Sequence, residues 1–180
     1  MKGFKMTFNK NKLKDIKFRY HNTLLYANEL FNAIDEFYKT EDEYKYFADV
    51  KGRERGIVFR IAHILANRLE SKHNVYVDCE ANRCNGEVKS IDICKPILDL
   101  IIHKRNSTSY VVVEFKVSEN IEALEHDYEK LEYLTNDNRN ENSKINSPTY
   151  DLGLSILLRN DGIREVKCFV NGKEYQFDAQ

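Results

Sequence analysis

Apolar residues recur at helical spacing over 22–38, where Leu24, Leu25, Ala27, Leu30, Phe31, Ile34 and Phe37 line one side. The same periodicity predicts a second helix over 53–70, with Ile57, Val58, Ile61, Ile64, Leu65 and Leu69 as its buried stripe. A third covers 120–134, with Ile121, Leu124, Tyr128 and Leu131 on one side. Between them the period changes to two. Strands are predicted over 75–79, 95–103, 110–117, 152–158, 163–170 and 174–177. Asn85-Gly86, Asp161-Gly162 and Asn171-Gly172 read as tight turns, and residues 136–147, without apolar periodicity, as a loop. Helix, helix, three strands, helix, strand and hairpin make an α/β fold: a mixed sheet with helices packed on it.

The two central strands carry an anomaly. In Ile97-Leu98-Asp99-Leu100-Ile101-Ile102-His103, alternation puts Asp99 on one face with Ile97, Ile101 and His103. In Tyr110-Val111-Val112-Val113-Glu114-Phe115-Lys116-Val117, Glu114 and Lys116 share a face, while Val111, Val113, Phe115 and Val117 make the other wholly apolar. Runs this apolar belong to strands covered on both sides, where an acid is costly unless neutralised. A loop symmetric about Asn106-Ser107 pairs Ile101 with Val112 and so sets Asp99 opposite Glu114. Two carboxylates about 5 Å apart repel, and they must share a proton or a cation. Oxygen donors with room for water suit Mg²⁺ or Mn²⁺ rather than zinc. Lys116 offers the alternative of a metal-free structural ion cluster. Glu54, one turn before Val58, aligns with the apolar stripe of its helix; taken alone it reads as an acid stabilised by the helix N-terminus.

Composition narrows the partners. The chain of 180 residues, 42% hydrophobic and 32% charged, has a net charge of −1, so a nucleic-acid partner must be met by a local patch rather than by bulk charge. Residues 1–20 hold Lys2, Lys5, Lys10, Lys12, Lys14, Lys17 and Arg19 against Asp15 alone, interleaved with Phe4, Phe8, Phe18 and Tyr20. This stretch reads as a solvated strand or as a nucleic-acid arm. Residues 1–49 are read as a basic arm and helix belonging to the same domain as 50–180. No apolar run is long enough for a membrane helix, and the first residues lack the apolar core of a secretory signal, so a cytoplasmic location without membrane contact is expected. Cys79, Cys84, Cys94 and Cys168 form no zinc-type pairs and are expected to be reduced thiols.

With Asp99 on one strand, Glu114-Phe115-Lys116 on the next and Glu54 on the preceding helix, the chain resembles the PD-(D/E)XK nuclease superfamily, the restriction-endonuclease-like fold. Glu54-Arg55, Val77-Asp78-Cys79-Glu80 followed by Asn82-Arg83, Ile101-Ile102-His103-Lys104-Arg105, and Asp127 before Lys130-Leu131 resemble its small stand-alone bacterial members. The resemblance covers roughly residues 50–160. One departure is that Pro96 lies three residues before Asp99 instead of directly before it; proline supplies no ligand, so the acidic set is untouched. The resemblance implies an α-β-β-β-α-β core with an added N-terminal strand and helix and a C-terminal hairpin. It also implies a Mg²⁺- or Mn²⁺-dependent phosphodiester hydrolase, with DNA favoured over RNA. Asp99, Glu114 and the main-chain carbonyl of Phe115 would hold the metal, Glu54 would support it, and Lys116 would orient the attacking water. Arg53, Arg55, Arg60, Arg83, His103, Asp127 and Lys130 are candidates for substrate contact. The alternatives are an idle nuclease-fold module that binds nucleic acid or protein, and an interaction protein that forms a homodimer through its tyrosine-rich first helix.

Overall fold

The computed structural model describes residues 17–40, 53–81, 83–84, 87–88, 97–105, 108–117, 121–137, 148–159 and 162–176. The basic stretch before Lys17, the turn at Asn85-Gly86, Pro96, most of the loop expected over 136–147 and the side chain of Arg83 lie outside them. In chain order the elements are α1 (Thr23–Lys39), α2 (Arg53–His73), β1 (Tyr76–Ala81), β2 (Arg83–Cys84) and β3 (Glu87–Val88). They continue with β4 (Leu98–His103), β5 (Ser109–Lys116), α3 (Ile121–Thr135), β6 (Leu152–Arg159), β7 (Gly162–Val170) and β8 (Lys173–Gln176).

Six strands form one mixed sheet in the order β1-β4-β5-β6-β7-β8, and β2 and β3 pair separately. Among the described strands only β5 and β6 run parallel; α3 supplies the crossover that a parallel pair requires. The order α2, β1, β4, β5, α3, β6 is therefore helix, three antiparallel strands, helix, and a strand parallel to the third. The C-terminal hairpin turns at Asn171-Gly172, both with positive φ (50° and 68°), as a two-residue turn of this hand demands. α2 runs three residues past its expected end and stops at Asn74, whose φ of 51° is the left-handed conformation that closes helices.

Each face of the sheet is covered. Leu100, Ile102, Val111, Val113 and Phe115, with alternate leucines and Ile156 of β6, pack with α1 and α2. On the other face Ile101, Val112 and Phe169 pack with Leu131 and Leu134 of α3. The expected continuous apolar strands are thus covered on both sides. Tyr26 of α1 is buried edge-on against Tyr110 with ring centres 4.9 Å apart. Tyr26 of the tyrosine-rich first helix thus belongs to the core.

Gly153 on β6 shows how closely α3 lies on the sheet. A Cβ there would meet Thr135 Cγ2 at 3.1 Å, and Leu131 Cδ2 and Phe169 Cβ at 3.3 Å. Gly153→Ala is expected to cost about 1–3 kcal/mol by overpacking, read as a lower urea midpoint with an unchanged slope. Among the described residues no helix is long and apolar enough to cross a membrane.

Candidate active site

The site forms where β4 begins, β5 ends and α2 begins. Ile101 pairs with Val112 and Leu100 with Val113, the register expected from the sequence. One step further along that register sets Asp99 opposite Glu114, on the face covered by α3. A bulge between Ile102 and His103 shifts the pairing only at the other end of the strand. The N–H of Phe115 donates to Asp99 Oδ2 at 2.8 Å, which ties the first carboxylate to the strand carrying the second.

Three further groups join from helices. From the first turn of α2, Glu54 accepts a hydrogen bond from the N–H of Val117 at 3.1 Å on Oε2 and lies 3.9 Å from Lys116 Nζ through Oε1. Glu54 therefore turns toward the end of the sheet instead of remaining only a helix-terminal acid. From α3, Asp127 Oδ2 lies 2.9 Å from Lys116 Nζ, and Asp127 Oδ1 lies 3.2 Å from Lys130 Nζ. Lys130 Nζ also lies 2.8 Å from Glu114 Oε1. Of the roles read for Asp127 and Lys130, the i,i+3 pair is present, and neither is among the described residues that line the cleft at Glu54 and Asp99. They pair with each other, and each also reaches across to β5.

Burial governs the electrostatics. Glu114, Asp127 and Lys130 are 2%, 4% and 8% exposed. Desolvation pushes Glu114 well above the usual carboxylate range, and Lys130 only partly offsets it. Asp99 and Glu54 are raised too, again chiefly by desolvation; the N–H of Phe115 and the ammonium of Lys116 are the leading opposing influences. Lys116 and Lys130 are raised because the surrounding acids outweigh their own desolvation, so both remain ammonium groups at neutral pH. Four carboxylates face two ammonium groups, an excess of two negative charges when all are ionised. The close partners of the buried oxygens Glu114 Oε1 and Asp127 Oδ2 are the two lysine ammonium groups.

No family model, curated protein or solved structure matches the chain. The site must therefore be read from its own chemistry.

Oxygen donors and a surplus negative charge of two, when all four acids are ionised, fit a hard divalent cation. Among the described residues no three His, Cys, Asp or Glu side chains form a ready-made metal cage. Mg²⁺ does not require one, since it is commonly held by one or two carboxylates with water and substrate phosphate as the remaining ligands.

The other expected contacts divide. Arg55 pairs with Glu80, Nε to Oε1 at 3.0 Å, on the rim of a cleft of about 560 Å³ that Glu54 and Asp99 also line. Arg53 and Arg60 are half-buried on α2 and are not among the described residues lining that cleft. His103 lies away from the cluster, at the opposite end of β4, with Nε2 2.9 Å from Asp78 Oδ2. It is a paired histidine at the sheet edge. Phe59 and Ile97, which line the cleft, were not singled out from the sequence as functional; the available signal was an aromatic residue off the buried stripe of α2.

Proposed function

We propose that the chain is a Mg²⁺- or Mn²⁺-dependent nuclease of the PD-(D/E)XK type, hydrolysing phosphodiester bonds in DNA in preference to RNA. The observation that carries this reading is the cluster of Glu54, Asp99, Glu114 and Asp127 around Lys116 and Lys130, which has two negative charges in excess when all four acids are ionised. The order of α2, β1, β4, β5, α3 and β6, which is that of a restriction-endonuclease-like core, supports it.

Asp99, Glu114 and the main-chain carbonyl of Phe115 would hold the cation, with Glu54 beside them. When bound, such a cation lowers the pKa of a coordinated water and neutralises charge on the phosphate. Lys116 keeps its proton at neutral pH, so it acts by holding water and stabilising the negative transition state, not as a base. Asp127 fixes the Lys116 ammonium from α3, and Lys130 holds the Glu114 carboxyl from the same helix.

Protons and metal compete for the same oxygens. Because Asp99, Glu54 and Glu114 have raised pKa values, metal affinity and turnover are expected to increase with pH as these acids lose their protons. The decisive experiment incubates the purified chain with single- and double-stranded DNA and RNA in Mg²⁺, Mn²⁺ or chelator, with melting followed in parallel. Cleavage should require metal. Saturation at about 100 times the dissociation constant should stabilise the fold by about 2.7 kcal/mol. Cleavage that survives both Glu114→Ala and Lys116→Ala would overturn the assignment.

The Lys130 ammonium beside Glu114 favours one competing reading, an idle module in which lysine permanently replaces the metal charge. That module would bind nucleic acid without cutting it and show no metal-dependent rise in melting temperature.

A further inference from the structure

We propose that the cleft beside the carboxylates is a subsite for an unpaired nucleobase, with Phe59 as its stacking platform, which makes single-stranded or frayed nucleic acid the preferred substrate. The inference rests on the nuclease reading and adds the form of nucleic acid taken.

The inward stripe of α2 is complete without Phe59. Ile57, Val58, Ile61, Ala62, Leu65 and Leu69 are buried, whereas Phe59 is 64% exposed. Among the described residues the exposed large apolar side chains are Leu25, Phe59 and Ile97, the last 52% exposed. Two of these three line the same cleft, and that cleft also contains Glu54 and Asp99 of the proposed metal site. A volume of about 560 Å³ falls in the range of sites for small ligands, enough for a nucleotide or two. Two exposed apolar side chains, with Val58 and Cys79 beside them and Glu54, Arg55, Glu80 and Asp99 around them, are far short of the contiguous patch that a protein partner covers.

Arg55 and Phe59 are four residues apart on α2, so they stand one above the other on one side of the helix. Arg55 is largely solvent-exposed, and its pairing with Glu80 joins two exposed groups, a contact weak enough to yield to a phosphate. The helix thus offers a guanidinium and an aromatic face one turn apart, the two chemistries that a single nucleotide presents. Within a continuous duplex each base is stacked on both faces and has no face free for Phe59. An unpaired base does.

The test is a binding measurement on the full chain with a short single strand carrying 2-aminopurine and with a blunt duplex of the same sequence, each in chelator and in Ca²⁺. The native chain should bind the single strand more tightly and quench the probe as the base stacks. Phe59→Ala should weaken single-strand binding by roughly tenfold or more and abolish the quench, with duplex affinity and melting temperature unchanged; Phe59→Trp should restore both. No preference for the single strand, or single-strand affinity in Phe59→Ala within about twofold of native, overturns the subsite. Its failure is separable from that of the nuclease reading. An inert native chain that still quenches the probe through Phe59 sinks the hydrolase and keeps the subsite, while metal-dependent cleavage indifferent to Phe59 does the reverse.

Discussion

Glu114→Gln is expected to lower metal-dependent cleavage by about 10³-fold while leaving the metal-free protein at least as stable as the native chain above neutral pH. The two effects have one origin. Glu114 is buried on β5 with Lys130 as its close ionic partner, and its carboxyl is pushed well above the ordinary range by desolvation. A carboxyl whose pKa is raised on folding favours the native state while it is protonated. That contribution is complete below its unfolded pKa and is lost as pH rises through the folded value. The native chain should therefore lose up to about 1.4 kcal/mol per pH unit through this one group in that window. Glutamine carries no titrating proton and lacks that slope, and Lys130 retains Asp127 at 3.2 Å. Denaturant titrations of both proteins at a series of pH values read the difference directly. Mg²⁺ should stabilise the native chain and not the variant. Parallel pH profiles would mean that Glu114 is not held protonated in the metal-free fold, and an equal response to Mg²⁺ would mean that it is not a ligand.

Asp151→Ala should be the most destabilising polar substitution outside the site, by about 3 kcal/mol, or about 6–12 °C in melting temperature. The N-terminus of α1 has no cap of its own: Asn22 makes no side-chain capping bond and the first turn contains no acid. Asp151, at the foot of β6, supplies an acid there and anchors the segment that leads into the helix. Its Oδ1 accepts from the N–H of Arg19 at 2.9 Å, and its Oδ2 accepts from the N–H of Tyr20 at 3.2 Å and from the buried hydroxyl of Thr23 at 2.5 Å. The carboxylate also places a negative charge where the helix dipole favours one, and Arg19 braces it with Nε 3.7 Å away. Removing the side chain leaves two backbone donors and a buried hydroxyl without their acceptor. Asp151→Asn keeps one acceptor oxygen and should lose about half as much. Equilibrium unfolding followed by far-ultraviolet dichroism reads both variants. A loss below about 1 kcal/mol for alanine would show that water replaces these bonds.

Both predictions depend on contacts that differ in how far the sequence foretold them. Alternation along β4 and β5 was sufficient to place Asp99, Glu114 and Lys116 on one face, and the symmetry of the connecting loop was sufficient for the pairing of Ile101 with Val112. Such information is local, since a period of two and a short loop leave a strand pair few registers. Glu54 is intermediate. Its alignment with the stripe of α2 pointed inward, but its reach to Val117 and Lys116 around the end of the sheet required knowing where that helix begins relative to β5.

The remaining features lay beyond local pattern. An i,i+3 spacing identified Asp127 and Lys130 as neighbours, yet their bonds to Lys116 and Glu114 depend on how α3 crosses β5 and β6, which the close approach at Gly153 controls. His103 shared a face with Asp99 in the strand pattern, but it pairs with Asp78 on the neighbouring edge strand, four residues away from the cluster. Nothing near Asn22 announces that the carboxylate anchoring the entry to α1 lies 128 residues downstream of Thr23. The amino-acid order alone thus determined which elements form, which faces they bury and which acids must meet across one strand pair, because these follow from backbone periodicity. Only the folded chain decided which ammonium neutralises which acid, which carboxylate anchors the entry to the first helix and where an aromatic ring is left uncovered, because these depend on packing between segments far apart in sequence.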